Sequence, residues 1–119
     1  MKIYASYGHT EFIICLGYKA HVIKEYFANY FLETSDIVVD LSDGSLKYVT
    51  KSDVDWKITL IDTGQQTLTG GRVKRAAPHI DGDTFCLTYG DGVANVDITK
   101  LVAFHRSHGK AATVTAVPS

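Results

Sequence analysis

The chain lacks the segments that mark nucleic-acid-binding and membrane proteins. Its 119 residues carry a net charge of −1 and contain no block of lysine and arginine long enough to follow a phosphate backbone, so a dedicated nucleic-acid binder is disfavoured. No apolar run approaches the length that crosses a bilayer, and the opening residues lack the apolar core of a signal peptide. These absences favour a cytoplasmic protein without a membrane partner.

Cysteine is also scarce. The two cysteines, Cys15 and Cys86, each lie inside an apolar run, and their spacing suits neither a zinc site nor a disulfide framework. We interpret both as reduced core thiols. Because 45% of the residues are hydrophobic, we expect residues 1–119 to fold as a single globular domain.

Apolar periodicity alternates along the chain between the spacing of strands and the spacing of helices. Strands that alternate with helices form a mostly parallel sheet covered by helices on both faces, so the predicted fold class is α/β. The predicted elements are a helix that ends at Gly8, a strand over Glu11–Leu16, a helix over Ala20–Leu32, a hairpin of Ile37–Leu41 and Leu46–Thr50, a strand over Trp56–Ile61, a helix that follows the Gly70-Gly71 turn, a strand over Phe85–Tyr89, a helix over Asp97–His108 and a strand over Ala111–Val117.

An aspartate between two glycines follows the predicted strand Phe85–Tyr89. Asp91 would then lie at the carboxyl edge of the sheet, where α/β proteins bind their ligands. The flanking Gly90 and Gly92 let the backbone turn sharply and let a phosphate or sugar approach closely. The pattern indicates a carboxylate aimed at a cation, although Asp-Gly is also a common turn dipeptide and a plain turn is the alternative.

A glycine-rich helix entry, Thr67–Arg72, is a candidate anion site. Backbone N–H groups at the start of a helix and the guanidinium of Arg72 both favour phosphate. The alternative is an ordinary helix whose Arg72, Lys74 and Arg75 are merely solvated. The loop Gly17–Lys19 ends another predicted strand, and it either faces the same cleft or simply connects the strand to the next helix.

The histidines give no metal signal. His9 lies in the first loop, and His21, His79, His105 and His108 lie in or beside predicted helices without a partner at ligand spacing. The i, i+3 spacing of the last two falls short of a metal site. We interpret all four of the helix-associated histidines as surface or helix-end residues.

Five segments of the chain carry a family resemblance, namely Phe12–Lys19, Val22–Phe31, Leu60–Gly64, Thr69–Arg75 and Thr88–Val93. They extend in order over nearly the whole chain, and their combination is specific where each motif alone is not. Taken together, they resemble the sugar-phosphate nucleotidyltransferases, in particular those that act on CTP and glucose 1-phosphate.

The resemblance implies a partial, Rossmann-like nucleotide-diphospho-sugar transferase fold. It implies that Asp91, as the carboxylate after the Tyr-Gly pair, is the catalytic residue that ligates Mg²⁺. It further implies that Thr67, Arg72 and Gly90 contact the substrates. The implied reaction joins CTP and glucose 1-phosphate to give CDP-glucose and pyrophosphate, a first step toward dideoxy sugars of surface polysaccharide.

The chain also departs from this family. The family's opening strand, its G-G-x-G-T-R loop, the lysine of a P-K-P segment and a second metal-binding aspartate have no match, so we interpret the chain as an internal fragment that is inactive alone. The alternatives are a non-catalytic fragment, a sugar-nucleotide binding module, or a related transferase that uses another nucleotide. The unmatched first strand would leave unpaired edges, which predicts a homo-oligomer or a complementing chain.

Overall fold

The computed structural model describes residues 1–49, 55–90 and 92–118. The described residues divide into two compact units, a larger one formed by residues 10–83 and a smaller one formed by residues 1–9 together with those from 84 onward. The mixed α/β class is confirmed, because helices accompany a short parallel sheet. That the whole chain forms one domain stays a prediction.

The helices and strands are short. No helix among the described residues is long and apolar enough to cross a membrane. In chain order the elements are α1 (Lys2–Ser6), β1 (Glu11–Leu16), α2 (Ala20–Ala28), α3 (Tyr30–Thr34), β2 (Ile37–Asp40), β3 (Ser45–Tyr48), β4 (Lys57–Asp62), α4 (Thr69–Ala76), a 3₁₀ turn (Ala77–His79) and α5 (Ile98–His108).

Strands β1 and β4 form the parallel pair of the larger unit. Their register places Leu16 opposite Asp62, so the two strands end side by side. Near the other end, the Phe12 and Trp56 rings pack edge to face with centroids 5.5 Å apart. Leu16 and Thr63 are buried at the carboxyl edge. The best-packed part of this unit is therefore the edge where parallel sheets bind ligands.

Strands β2 and β3 form the predicted antiparallel hairpin. The Asp40 carboxylate accepts hydrogen bonds from the Ser42 hydroxyl and N–H, and Asp43 accepts from the Ser45 N–H. These bonds stabilise the charged carboxylates and lower the pKa of both aspartates. Gly44 has a φ of +72°, which glycine adopts without strain. The end of the predicted second strand lies outside the described residues.

The predicted helix Ala20–Leu32 is interrupted at Asn29. Its backbone, at φ −97° and ψ 6°, separates α2 from α3, so the prediction of one continuous helix is wrong. Backbone bonds still run from Asn29 N–H to the Glu25 carbonyl and from Glu33 N–H to the Asn29 carbonyl. The backbone hydrogen bonds on both sides of Asn29 are thus kept across the break.

Both helices of the smaller unit end as predicted. Helix α1 is followed by Gly8 at a φ of +88°. Asp97 caps α5 by accepting a bond of 3.1 Å from the Lys100 N–H, and Gly109 ends that helix at a φ of +67°. Ile98, in the first turn of α5, is buried and anchors the helix.

A hydroxyl joins the two histidines of the last turn of α5. Thr113 Oγ1 lies 2.8 Å from His105 Nδ1 and 2.6 Å from His108 Nε2. The Lys110 N–H donates to His108 Nδ1 over 2.9 Å. In neutral His108 the proton is therefore on Nε2, which donates to Thr113. The helix-end interpretation of these histidines is confirmed, and the bonds tie the chain beyond Gly109 back onto the helix.

Helix α1 contacts the segment after Thr84 through Tyr4, whose phenol lies near Cys86 and Thr88. Partial burial, followed by the neighbouring Cys86, raises the pKa of Tyr4, while a hydrogen bond with Thr88 lowers it. Partial burial also raises the pKa of the Cys86 thiol. The thiol is therefore protonated at neutral pH and is a weak nucleophile.

Two predicted strands, Phe85–Tyr89 and Ala111–Val117, are wrong, because the described residues of neither segment form strand hydrogen bonds. A strand exists only with a partner backbone, and none is paired with either segment in the described structure. The mostly parallel sheet is consequently reduced to one parallel pair. Cys86, expected in the core, is exposed, whereas Cys15 is half-buried, and both are free thiols as predicted.

We expect the purified chain to self-associate, because unpaired strand edges and exposed apolar side chains recruit partners. Leu87 is 62% exposed in one of these segments. Leu87→Lys should lower the average mass measured by size-exclusion chromatography with light scattering. Ser107→Lys, at an exposed position of α5, adds the same charge without removing an apolar side chain and should leave the mass unchanged. A monodisperse natural chain at monomer mass contradicts the expectation.

Candidate functional site

Three of the four site residues predicted from the sequence lie among the described residues. Thr67 and Arg72 lie in the larger unit, in the turn before α4 and within that helix. Gly90 lies in the smaller unit, where it is exposed and a Cβ would meet no atom within 4 Å. Asp91 lies outside the described residues. Thr67 and Arg72 therefore lie in one segment, the turn into α4 and the helix itself. The predicted role of Asp91 as catalytic metal ligand and the predicted substrate contacts of the other three residues stay predictions.

The guanidinium of Arg72 binds the carboxyl ends of both parallel strands. Nη1 donates to the Leu16 carbonyl over 3.2 Å and to Thr63 Oγ1 over 2.8 Å. Nη2 donates to the Gln65 carbonyl over 3.4 Å. Since arginine is always charged and presents its donors in a rigid fork, one side chain on α4 joins the end of β1 to the turn after β4.

Thr63 is the buried centre of this arrangement. It is fully buried, and its N–H and hydroxyl both donate to the Leu16 carbonyl, over 2.9 and 3.1 Å. The same hydroxyl accepts from Arg72. Each polar group that folding removes from water here has a partner, which avoids the cost of a buried unpaired donor or acceptor.

A second arginine holds the turn that leads into α4. Arg75 donates to the Thr63 carbonyl and to Thr67 Oγ1. The turn passes through Gly64 at a φ of +94°, where a Cβ would lie 2.6 Å from Thr67 Oγ1. Only glycine fits this position, on grounds of both backbone conformation and space. The contacts of Thr67 are thus with the turn and with Arg75.

Two further glycines permit close packing at the site. A Cβ on Gly17 would lie 2.7 Å from both terminal nitrogens of Arg72, so the guanidinium rests directly on the Gly17 backbone. A Cβ on Gly71 would lie 2.8 Å from the Thr67 methyl group. Gly70 differs from both, because nothing lies within 4 Å of its Cβ position. The space beside Gly70 at the start of α4 is therefore open.

The alternative that these basic residues are merely solvated is wrong for Arg72 and Arg75, since both bind the strand ends. Lys74, between them in sequence, is exposed. The Cys15 thiol donates to the Arg72 carbonyl over 3.8 Å, which adds a contact between β1 and α4. Three of the N–H donors of Arg72 are used within the protein, so its expected substrate contact depends on the remaining donors.

An open cleft of about 450 Å³ lies at the carboxyl edge of the parallel pair. Strand β1 contributes the loop Gly17–Lys19, which therefore does face a cleft, and β4 contributes its final residue, Asp62. The start of α2 and the turn after β4 complete the walls. The remaining lining residues are Ala20, His21, Lys24 and Gln65. Arg72 holds two walls in place, because it binds the carbonyls of Leu16 and Gln65.

The described residues do not form a metal site. Nowhere in residues 1–49, 55–90 and 92–118 do three histidine, cysteine or carboxylate side chains gather closely enough to hold an ion. Asp62, the carboxylate of the cleft, accepts the Gly64 N–H over 3.0 Å. The expected Mg²⁺ therefore depends on Asp91, and no described side chain is assigned to the ion.

Sequence reasoning missed part of this site. Asp62, Gln65 and Lys24 line the cleft, and none of them was among the site residues predicted from the sequence. The available signal was the strand end itself, since parallel strands present their carboxyl ends on one edge. The partners of Arg72 carried no sequence signal, because backbone carbonyls accept bonds whatever side chain they bear.

The fold and the cleft define a class, an α/β protein with an open cleft at the carboxyl edge of parallel strands. No family model matches the chain. The chain is 50% identical over 117 residues to the glucose-1-phosphate cytidylyltransferases of Salmonella typhimurium and Salmonella typhi, and 45% identical to a probable glucose-1-phosphate cytidylyltransferase of Bacillus subtilis. Each match covers 98% of this chain and 46% of the relative. The resemblance predicted from the motifs is confirmed, and the chain spans less than half the length of these relatives.

We expect Gly17→Ala to destabilise the larger unit by about 1–3 kcal/mol, because the new methyl group displaces the guanidinium from its three acceptors. Urea unfolding followed by the fluorescence of Trp56, the single tryptophan, reports on this unit. The matched control is Gly70→Ala, which should gain about 0.5–1 kcal/mol because alanine favours the helix and meets no atom. Equal effects of the two substitutions would contradict the packing described.

Proposed function

We propose that this chain carries part of the active site of a glucose-1-phosphate cytidylyltransferase. The observation that carries the proposal is 45–50% identity to relatives of that name along 98% of the chain. The cleft at the carboxyl edge supports it, since ligands of α/β proteins bind at that edge. The finer fold we propose is a Rossmann-like nucleotide-diphospho-sugar transferase fold, of which β1 and β4 are neighbouring parallel strands.

The proposed reaction transfers a cytidylyl group. A phosphate oxygen of glucose 1-phosphate forms a bond to the α-phosphorus of CTP, and the bond from that phosphorus to the bridging oxygen of the β-phosphate breaks. Pyrophosphate leaves with the electron pair, and CDP-glucose remains. Because two anions must approach each other, the protein contributes charge neutralisation and alignment rather than a covalent group.

The described residues supply alignment in this proposal. Arg72 and Arg75 fix the turn and the first residues of α4, whose backbone N–H groups favour an anion. Open space beside Gly70 leaves room for a ligand to approach the backbone. Thr67, Arg72 and Gly90 are proposed substrate contacts by resemblance. Oligomerisation, or a complementing chain, is proposed to supply the contacts of the family's nucleotide loop.

The Mg²⁺ of this proposal would be held by Asp91, because a hard divalent cation suits a carboxylate together with phosphates and waters. Its chemistry would be to neutralise phosphate charge. The described residues fix the turn before α4, the start of that helix and the cleft, and they do so without contacting the metal ion.

A second candidate function is nucleotide or sugar-phosphate binding without turnover. The favouring observation is that the chain spans 46% of the length of its relatives, while the cleft is formed within this chain. A further variant of the first proposal is the use of a nucleotide other than CTP, which assays with UTP, ATP and GTP would detect.

We expect Asp91→Ala, in a protein of the relatives' full length, to lower Mg²⁺-dependent CDP-glucose formation by about 100-fold or more, because one electrostatic contact in the transition state has an effect of that order. The melting temperature should hardly change. Asp43→Ala, in the hairpin turn, is the control and should retain activity. Activity of Asp91→Ala near the natural level would overturn the assignment.

We expect the 119-residue chain alone to form little or no CDP-glucose from CTP and glucose 1-phosphate. A few substrate contacts do not hold a triphosphate in line for attack. Chromatography of the products after overnight incubation with Mg²⁺ measures this directly. Robust turnover by the purified chain would show that the unmatched segments are dispensable.

A further inference from the structure

The cleft beside β1 has a cationic wall. Lys19 and Lys24 line it together with His21, and Asp62 is the only carboxylate among the described residues that line it. The Asp62 carboxylate accepts a hydrogen bond from the Gly64 N–H. Within the described ranges neither lysine is held in an ion pair, so their charges are not neutralised by the protein. A cleft whose fixed charges are mainly of one sign concentrates ligands of the opposite sign.

The backbone at Lys19 adds an independent observation. Lys19 is the only residue other than glycine with a positive φ among the described residues, at φ 54° and ψ 36°. This left-handed conformation is unfavourable for lysine and costs glycine nothing. Strain of this kind is enriched at ligand-binding sites, and Lys19 lies on the cleft. Its ammonium group also lies 5.5 Å from the Tyr18 ring centroid, a cation–π contact that restricts where it points.

Lys24 reaches the same cleft from α2. The helix begins at Ala20, directly after the strained residue, and has no acidic side chain in its first turn. The left-handed turn at Lys19 therefore starts α2 in the position from which Lys24 lines the cleft.

We propose that Lys19 and Lys24 form a phosphate-binding wall in this cleft, for the phosphate groups of a nucleotide or a sugar phosphate. The choice of ligand rests on the proposed function, whereas the positive charge of the two lysines and the geometry of the cleft are independent of it. The volume of about 450 Å³ lies in the range of small-molecule sites. Lys19 and Lys24 are not among the residues that the resemblance implies, so the wall adds two substrate-positioning residues to Thr67, Arg72 and Gly90.

Binding to the 119-residue chain tests the proposal without turnover. Calorimetric titration with pyrophosphate, without metal and at low salt, should give measurable affinity. Lys19→Gln and Lys24→Gln should each weaken it by about 2- to 5-fold and the double variant by about 5- to 20-fold. Lys47→Gln, on β3 outside the cleft, is the control of equal charge and should have no effect. Separate titrations with glucose 1-phosphate and with CTP show whether the wall binds a sugar phosphate or a nucleotide triphosphate more tightly.

Lys19→Gly separates binding from folding. Glycine removes the strain, so the melting temperature should rise by about 2–6 °C while pyrophosphate affinity falls. Affinities of the lysine variants within about 2-fold of the natural chain, or an equal loss in Lys47→Gln, would overturn the proposal. So would the absence of binding by all three ligands. Intact binding with no turnover in the full-length protein would instead count against the proposed function alone.

Discussion

One arginine side chain holds the carboxyl ends of the two parallel strands against helix α4. Arg72 donates to the Leu16 carbonyl, to the buried Thr63 hydroxyl and to the Gln65 carbonyl, so a single rigid group on α4 joins the end of β1 to the turn after β4. The larger unit buries few side chains, and Leu16 and Thr63 are two of them. Hydrogen bonds to a charged group are stronger than neutral ones, and they matter most where the apolar core is small.

The same interaction shapes the cleft. The Arg72 guanidinium packs directly on the backbone of Gly17, the residue after Leu16. Both Gly17 and Gln65 line the cleft. Folding and ligand binding therefore depend on the same group. Lys19 shows the opposite relation, since its left-handed backbone weakens the fold while its side chain adds charge to the cleft. A site that combines a stabilising arginine with a strained lysine is consistent with selection for binding as well as for stability.

The sequence predicted those elements whose signals are local. The bounds of β1, the hairpin of β2 and β3, and the helix α5 follow from neighbouring residues, and the structure confirms them. The apolar pattern of Phe85–Tyr89 wrongly predicted a strand, because a strand requires a partner backbone and the pattern of one segment does not specify that partner. The acceptors of Arg72 were equally hidden, as they are carbonyl groups that become neighbours only after β1 and β4 pair.

The central claim, that Arg72 and Thr63 together hold the strand ends, is tested most directly by a double-mutant cycle. Arg72→Met keeps the aliphatic stem and Thr63→Val keeps the shape, so the cycle isolates their polar interaction. Urea unfolding followed by Trp56 fluorescence should give a coupling free energy of about 1–2 kcal/mol between the two substitutions. Effects that add to within about 0.5 kcal/mol would contradict the account, because the two side chains would then stabilise the unit independently.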